Sequence, residues 1–359
     1  MDGEALRAVR DAIGDHGPIS FDEYMQLALY GSGGFYTRSP VGADGAFVTS
    51  PHVHPVFGRL LGRALRELWQ GLGGPSPVRL AEVGAGAGTL TRQLLEELAD
   101  LPVAVSAVET DPTARAALAT IDGVDVVREL PMGTDLVVAN ELVDNLPFRV
   151  LRRGKEVRVG LDGDRLVTVD VEPGPDLLAA THGSASGDLD ELVIPVGAFR
   201  FLDDLARALH PRGYALLIDY GTAGPSGAVH GYRDHHVVED VLASPGESDI
   251  TAGVDFDALA ERARGTGLVP LPMVTQHDAL MALGLDGWLR DELTRQHREL
   301  DERAGAAAVR TWSGRSRATM LADPGGLGRF RWLVLATPGL PTPGWLRRAA
   351  DAGRDRAER

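Results

Sequence analysis

The residues best suited to chemistry fall in three clusters. Within LAEVGAGAGTLTRQLL, residues 80–95, an apolar run gives way to Gly84, Gly86 and Gly88, with Glu82 just before them and a helix-like repeat starting near Thr89. Glycines there permit unusual dihedrals and let a ligand approach the backbone, and the helix that follows points unpaired N–H groups at it. A dinucleotide turn, G-x-G-x-x-G, would set its third glycine at position 89, where this chain has Thr89. An acid beside the turn suits a ligand with positive charge rather than a diphosphate. Glu109, 23 residues beyond Gly86, is close to the ~20 expected of an acid that accepts from both hydroxyls of a ribose. A lone glutamate is otherwise read as a solvated loop charge. Arg128 and Glu129 follow the next apolar run, where an adenine would lie. In DLVVANELVDNLPF, Asn140, Glu141 and Asp144 offer two carboxylates and an amide, a set that can position a cation or move a proton. The competing reading is that Asn140 and Asp144 cap the next helix. His52, His54, His235 and His236 raise the question of a metal. Adjacent histidines in YRDHHVVED cannot easily share one ion and no cysteine supports them, so no metal is expected.

These residues act together only if strand ends gather them. From Val78 the chain alternates apolar runs (VRLAEV, VAVSAVE, VDVV, DLVVANE, YALLIDY, LVPLPMV, and finally FRWLVLAT) with helical stretches such as TLTRQLLEELA and TARAALAT. That predicts an α/β doubly wound, mostly parallel sheet with both faces covered. Ligands then bind outside the carboxyl ends of the strands, where all three clusters emerge. Residues 1–74 predict a helical extension: a helix to about Ile13, then Ser20 as a cap with Glu23 at the capping-box spacing. The stretch GSGGFYTRSPVGADGAFVTSP follows, too rich in Gly, Pro and Ser for a regular element; its aromatic residues Phe35, Tyr36 and Phe47 favour an ordered binding loop. The core is placed at 75–340, with insertions at about 150–196, read as a β-hairpin in the helical layer, and 276–325. The charged tail, 341–359, is expected to fray after Trp345.

Composition narrows the classes. With 359 residues, a net charge of −15 and scattered arginines, the chain lacks the footprint of a nucleic-acid binder. The absence of Cys excludes disulfides and thiolate nucleophiles. No window approaches the ~18 to 20 apolar residues of a membrane span, and MDGEALRAVRD lacks the basic and apolar regions of a signal peptide. The expectation is a cytoplasmic protein that meets no membrane.

The E-x-G-x-G pattern of Glu82, Gly84 and Gly86 resembles the first motif of class I methyltransferases, which implies a Rossmann-like sheet with an antiparallel last strand, S-adenosylmethionine as donor and S-adenosylhomocysteine as product. From about residue 20 to 337 the chain is similar to the MidA-like methyltransferases. The blocks that carry this are FDEYMQLALYGSGGFYT, GAFVTSPHVHPVFGRLLG, AEVGAGAGTL, VVANELVDNLPF, ALLIDYG, YRDHH, PGESDITAGVDF and LADPGGLGRFRWLVLA, in that order. The mitochondrial members of this family methylate an arginine on a complex I subunit. The resemblance implies an N-terminal extension and insertions that cover the cofactor, with Glu82, Gly84, Gly86 and Glu109 as cofactor contacts and Asn140, Glu141 and Asp144 in the active crevice. It also draws Thr49, Ser50, His235 and Asp249 toward the site. The chain departs from the family pattern at Ala46, His52, Ala87 and Gly253, where an acid, Glu, Arg and His are expected. A guanidinium acceptor would call on Glu141 or Asp144; a hydroxyl acceptor would call on His235 as base. Three functions follow: a protein arginine methyltransferase, a small-molecule O- or N-methyltransferase, and a non-catalytic assembly factor that binds the donor. The expected partners are the acceptor, a protein or small molecule, and a second copy of the chain.

Overall fold

The computed structural model describes residues 3–38, 49–181, 190–209, 211–227, 229–233 and 236–357. Eight strands form the central sheet: β1 (Val78–Val83), β2 (Val103–Val108), β3 (Val124–Val127), β4 (Leu136–Asn140), β5 (Tyr214–Asp219), β6 (Val269–Pro270), β7 (Val274–Thr275) and β8 (Arg331–Ala336). Their order is 3-2-1-4-5-8-6, with β7 also on β8. Strands β1 to β5 are parallel, and β8 runs antiparallel to β5, Tyr214 facing Ala336. Every residue of β5 is buried, as are the four Leu136–Ala139 of β4. Helices cover both faces, so these strands read as unbroken apolar runs. The chain winds outward from β1 through β2 and β3, then returns to start β4 on the other side of β1. The crevice opens at that reversal.

Several local expectations are corrected. LVPLPMV does not make one strand but two short ones, β6 and β7; Pro270 and Pro272 lack the N–H a continuous ladder needs. The segment 150–196 is more than a hairpin. Strands Arg149–Arg152, Lys155–Asp162, Arg165–Val171 and Glu191–Ile194 join the two-residue strand Ile19–Ser20 in a second, antiparallel sheet. Val9, Ile13, Phe21 and Met25 of the N-terminal extension share its core with Val150, Val157 and Val159. The capping box does not form: Ser20 precedes the helix Phe21–Met25, but its hydroxyl donates to Asp22 Oδ1 (2.6 Å). That helix continues as a π-helical turn, Gln26–Tyr30, and Phe35–Arg38 is a short helix where no regular element was expected. The tail does not fray. Gly344–Ala357 is a helix that buries Trp345, Leu346 and Ala349 completely, sets the Trp345 ring edge-on to Trp332, and pairs Arg356 with Asp278.

Candidate active site

The turn after β1 is built as its sequence requires. Gly84, Gly86 and Gly88 have φ of 72°, 52° and 85°, in the left-handed region, and a Cβ on Gly88 would come within 2.5 Å of Ile121 Cδ1. The Gly86 N–H donates to Glu109 Oε2 (2.9 Å), while Glu109 Oε1 accepts from the N–H groups of Thr110 and Asp111. Glu109 is thereby fixed at the end of β2, beside the turn. Glu82 is buried under it and accepts from the Thr91 hydroxyl (2.6 Å); burial, more than the nearby Glu109, pushes its carboxyl up to about 8. Glu129 lies exposed beyond β3.

Beyond β4 the chain turns abruptly. Glu141 has φ of 55°, which a residue with a Cβ rarely adopts. The cause lies in what it holds: its own N–H donates to Ile218 O, and its Oε1 accepts from the Ser50 N–H (2.7 Å) and Asn140 Nδ2 (3.2 Å). The single 3-10 turn Val143–Asn145 follows, held by Asp219 at the end of β5. One carboxylate oxygen of Asp219 accepts from the N–H groups of Leu142, Val143 and Asp144 at 3.1, 2.7 and 3.2 Å. Asp144 Oδ2 accepts from the Thr251 hydroxyl (2.8 Å), which also meets the Tyr220 hydroxyl (2.8 Å). Asp249 Oδ1 accepts from the Tyr36 hydroxyl and Asn145 Nδ2, both at 2.9 Å, and Tyr36 stacks on Tyr30. Asn140 and Asp144 therefore do not cap a long helix. Asn140 Oδ1 and Asp144 Oδ1 are buried and have no hydrogen-bond partner, and buried polar atoms in that state call for a donor from outside the chain.

The electrostatics are one-sided. Burial lifts Glu141 to about 7, Asp219 to about 7 with Glu141 adding to it, and Asp249 to about 6. Asp144 is raised well above the usual carboxylate range by burial and then by Asp219 and Asp249. Among the described residues no arginine or lysine pairs with Glu82, Glu141, Asp144, Asp219 or Asp249. Positive charge is the missing partner. The acids fit a donor that carries a sulfonium and an ammonium, and the left-handed glycines leave the turn free of side chains beside them.

Of the residues that the resemblance draws toward the site, Ser50 meets Glu141 and Thr49 meets His52. Ser50 is fully buried with its N–H on Glu141, and Thr49 Oγ1 lies 2.7 Å from His52 Nδ1. The other ring nitrogen of His52 lies 2.9 Å from Thr89 Oγ1, so His52 links the N-terminal segment to the first residue after the glycine turn. Burial lowers its pKa. His235 and Ala46 lie outside the described residues. Asp219, Thr251, Tyr220 and Tyr30 are site residues that sequence reasoning missed. All four lie in blocks that carry the family resemblance, and Asp219 is marked further as a charge closing the apolar run YALLI.

A reversal of strand order, a glycine turn with flanking acids and an acidic crevice beside it define a class I S-adenosylmethionine-dependent methyltransferase. Residues 60–274 match the model of a family described as "Putative S-adenosyl-L-methionine-dependent methyltransferase", and the chain belongs to this MidA-like family. It is 30% identical to the mitochondrial protein arginine methyltransferase NDUFAF7 of Xenopus tropicalis over 75% of this chain and 73% of that protein. With the Homo sapiens protein of the same name it is 27% identical over 78% and 73%. A protein from Burkholderia thailandensis, solved with S-adenosyl-homocysteine bound, is 25% identical, superposes with a TM-score of 0.80 and covers 95% of this chain and 94% of its own. The cytoplasmic placement expected from composition is overturned by these relatives, which are mitochondrial proteins. Among the described residues no helix is long and apolar enough to cross a membrane.

Proposed function

We propose that this methyltransferase acts on the guanidinium group of an arginine in a protein. The observation that carries the reading is the pair of buried, unpartnered oxygens, Asn140 Oδ1 and Asp144 Oδ1, within a group of carboxylates that has no basic partner among the described residues. A guanidinium supplies five N–H donors in a planar fork and a permanent positive charge. The names of the relatives point the same way.

Bound S-adenosylmethionine supplies a methyl group already activated on sulfur. The work left to this chain is alignment, which can supply ~7 to 11 kcal/mol of barrier reduction. Glu82, Gly84, Gly86 and Glu109 would hold the donor, beside Asn140 and the Ser50–Glu141 contact. Asp144 and Glu141 orient the guanidinium so that one nitrogen faces the methyl group. Once that nitrogen is methylated it must lose a proton, and Asp144, a carboxyl whose basicity burial and its acidic neighbours raise, receives it.

Incubation with labelled donor and a protein extract should place label on arginine after acid hydrolysis. Asp144→Asn should lower that rate at least a hundredfold and leave donor affinity within about threefold, since it removes a group that acts on the acceptor. Label found only in small molecules would replace this reading with that of a small-molecule methyltransferase.

A further inference from the structure

Between β7 and β8, after the short helix Gln276–Ala282, come two longer helices, Leu285–Asp301 and Gly305–Met320, that pack on each other. The second buries Ala308, Thr311 and Ala318. Its opposite side is unusual: Val309, Trp312 and Met320 are 63%, 53% and 55% exposed and, with Ser316 between, recur at intervals of three or four residues on one face. The fold does not require an open indole there. The charge on this helix is equally local. Residues 303–320 hold Arg303, Arg310, Arg315 and Arg317 and no acid, in a chain of net charge −15. On the preceding helix, Arg290 and Arg295 are held by Asp286 and Glu292. Arg310 and Arg317, exposed along one border of the apolar stripe, pair with no carboxylate among the described residues. An exposed tryptophan on an apolar stripe whose far edge carries uncommitted arginines combines the two residue types enriched at the energetic centres of protein interfaces.

We infer that this face docks an acidic amphipathic helical segment of a partner protein, its apolar side on Val309, Trp312 and Met320 and its carboxylates on Arg310 and Arg317. Charge complementarity selects this occupant. A second copy of the chain, paired symmetrically through the same face, would set Arg310 and Arg317 against their own equivalents. The opposite side of this helix packs toward the segment that holds Glu141. A Cβ at Gly314 would lie 3.4 Å from His54 Nε2, the Trp288 ring meets His54 edge-on at 4.9 Å, and His54 closes the turn Ser50–Val53 that holds Glu141. A partner with an acidic docking segment and a cationic target would be drawn to the helix by one and to the crevice by the other. The inference stands whichever acceptor is methylated.

The test is calorimetric titration of the full chain with two synthetic helical peptides of equal length and apolar face, one with glutamates on the polar side and one with lysines, and with phosphatidylglycerol vesicles. The glutamate peptide should bind at least tenfold tighter than the lysine peptide. Trp312→Ala and the pair R310E and R317E should each weaken it at least tenfold with donor affinity unchanged, which shows that the fold is intact. The inference is overturned by failure of the glutamate peptide to bind, by equal binding of the two peptides or of the variants, by binding of vesicles in place of the peptide, or by a wild-type dimer that Trp312→Ala converts to monomer.

Discussion

Glu82 and Glu141 set the behaviour of the site at the scale of single residues. Both are carboxyls lifted by burial, to about 8 and about 7, above the ~4.3 of an unfolded glutamate. Near neutral pH the folded chain therefore retains protons that the unfolded chain has lost. The stability these groups contribute is fully present below their unfolded values and is lost as pH rises through the folded ones, so the ligand-free protein should unfold more easily at pH 8 than at pH 5.5. Thermal denaturation across that range measures it. A cationic donor favours the ionised acids, and its binding at pH 7 should release protons, detectable as a dependence of the calorimetric heat on the ionisation heat of the buffer. Binding without proton release would separate Glu82 from the positive charge of the ligand. These residues were readable in the sequence because motif spacing fixes Glu82 and Glu109 relative to the turn. The contacts of Asp219 and Thr251 were not: these residues reach Asp144 across 75 and 107 positions through hydrogen bonds that no local pattern encodes.

Among the elements, those buried on both faces were the easiest to read, since β1, β2, β4, β5 and β8 are apolar runs with only one solution. The errors came where side-chain chemistry or docking decides. Ser20 has the right spacing for a capping box, but Asp22 claims its hydroxyl. The last helix, WLRRAADAGRDRA, hides its apolar side among arginines, and only the surface formed by Trp332 and its neighbours shows that Trp345, Leu346 and Ala349 have a place to go. Because Trp345 is fully buried against the core, Trp345→Ala should cost about 3 to 5 kcal/mol in denaturant unfolding. A loss below 1 kcal/mol would mean that the helix undocks readily in solution.

At the scale of the molecule, the order of strands 3-2-1-4-5-8-6 brings the site together. It sets the ends of β1, β2, β4 and β5 at one opening, and the N-terminal extension and the strand Asp249–Ala252 close it from outside. The alternation of strands and helices announced that opening. The resemblance drew Asp249 toward that opening, but not its contact with Tyr36, which joins segments of little periodicity across 213 positions.

Glu141 has one more consequence. Its backbone occupies a region where L-residues are disfavoured by roughly 1 to 2 kcal/mol, and its carboxyl is desolvated without a basic neighbour. Selection for robustness alone would put glycine there. Glu141→Gly should therefore raise the melting temperature of the ligand-free enzyme while it abolishes methyl transfer, a trade between durability and turnover in which the natural residue takes the less durable side. A variant that melts lower than the parent would show that Ser50, left without its acceptor, matters more to cohesion than the relief of the turn.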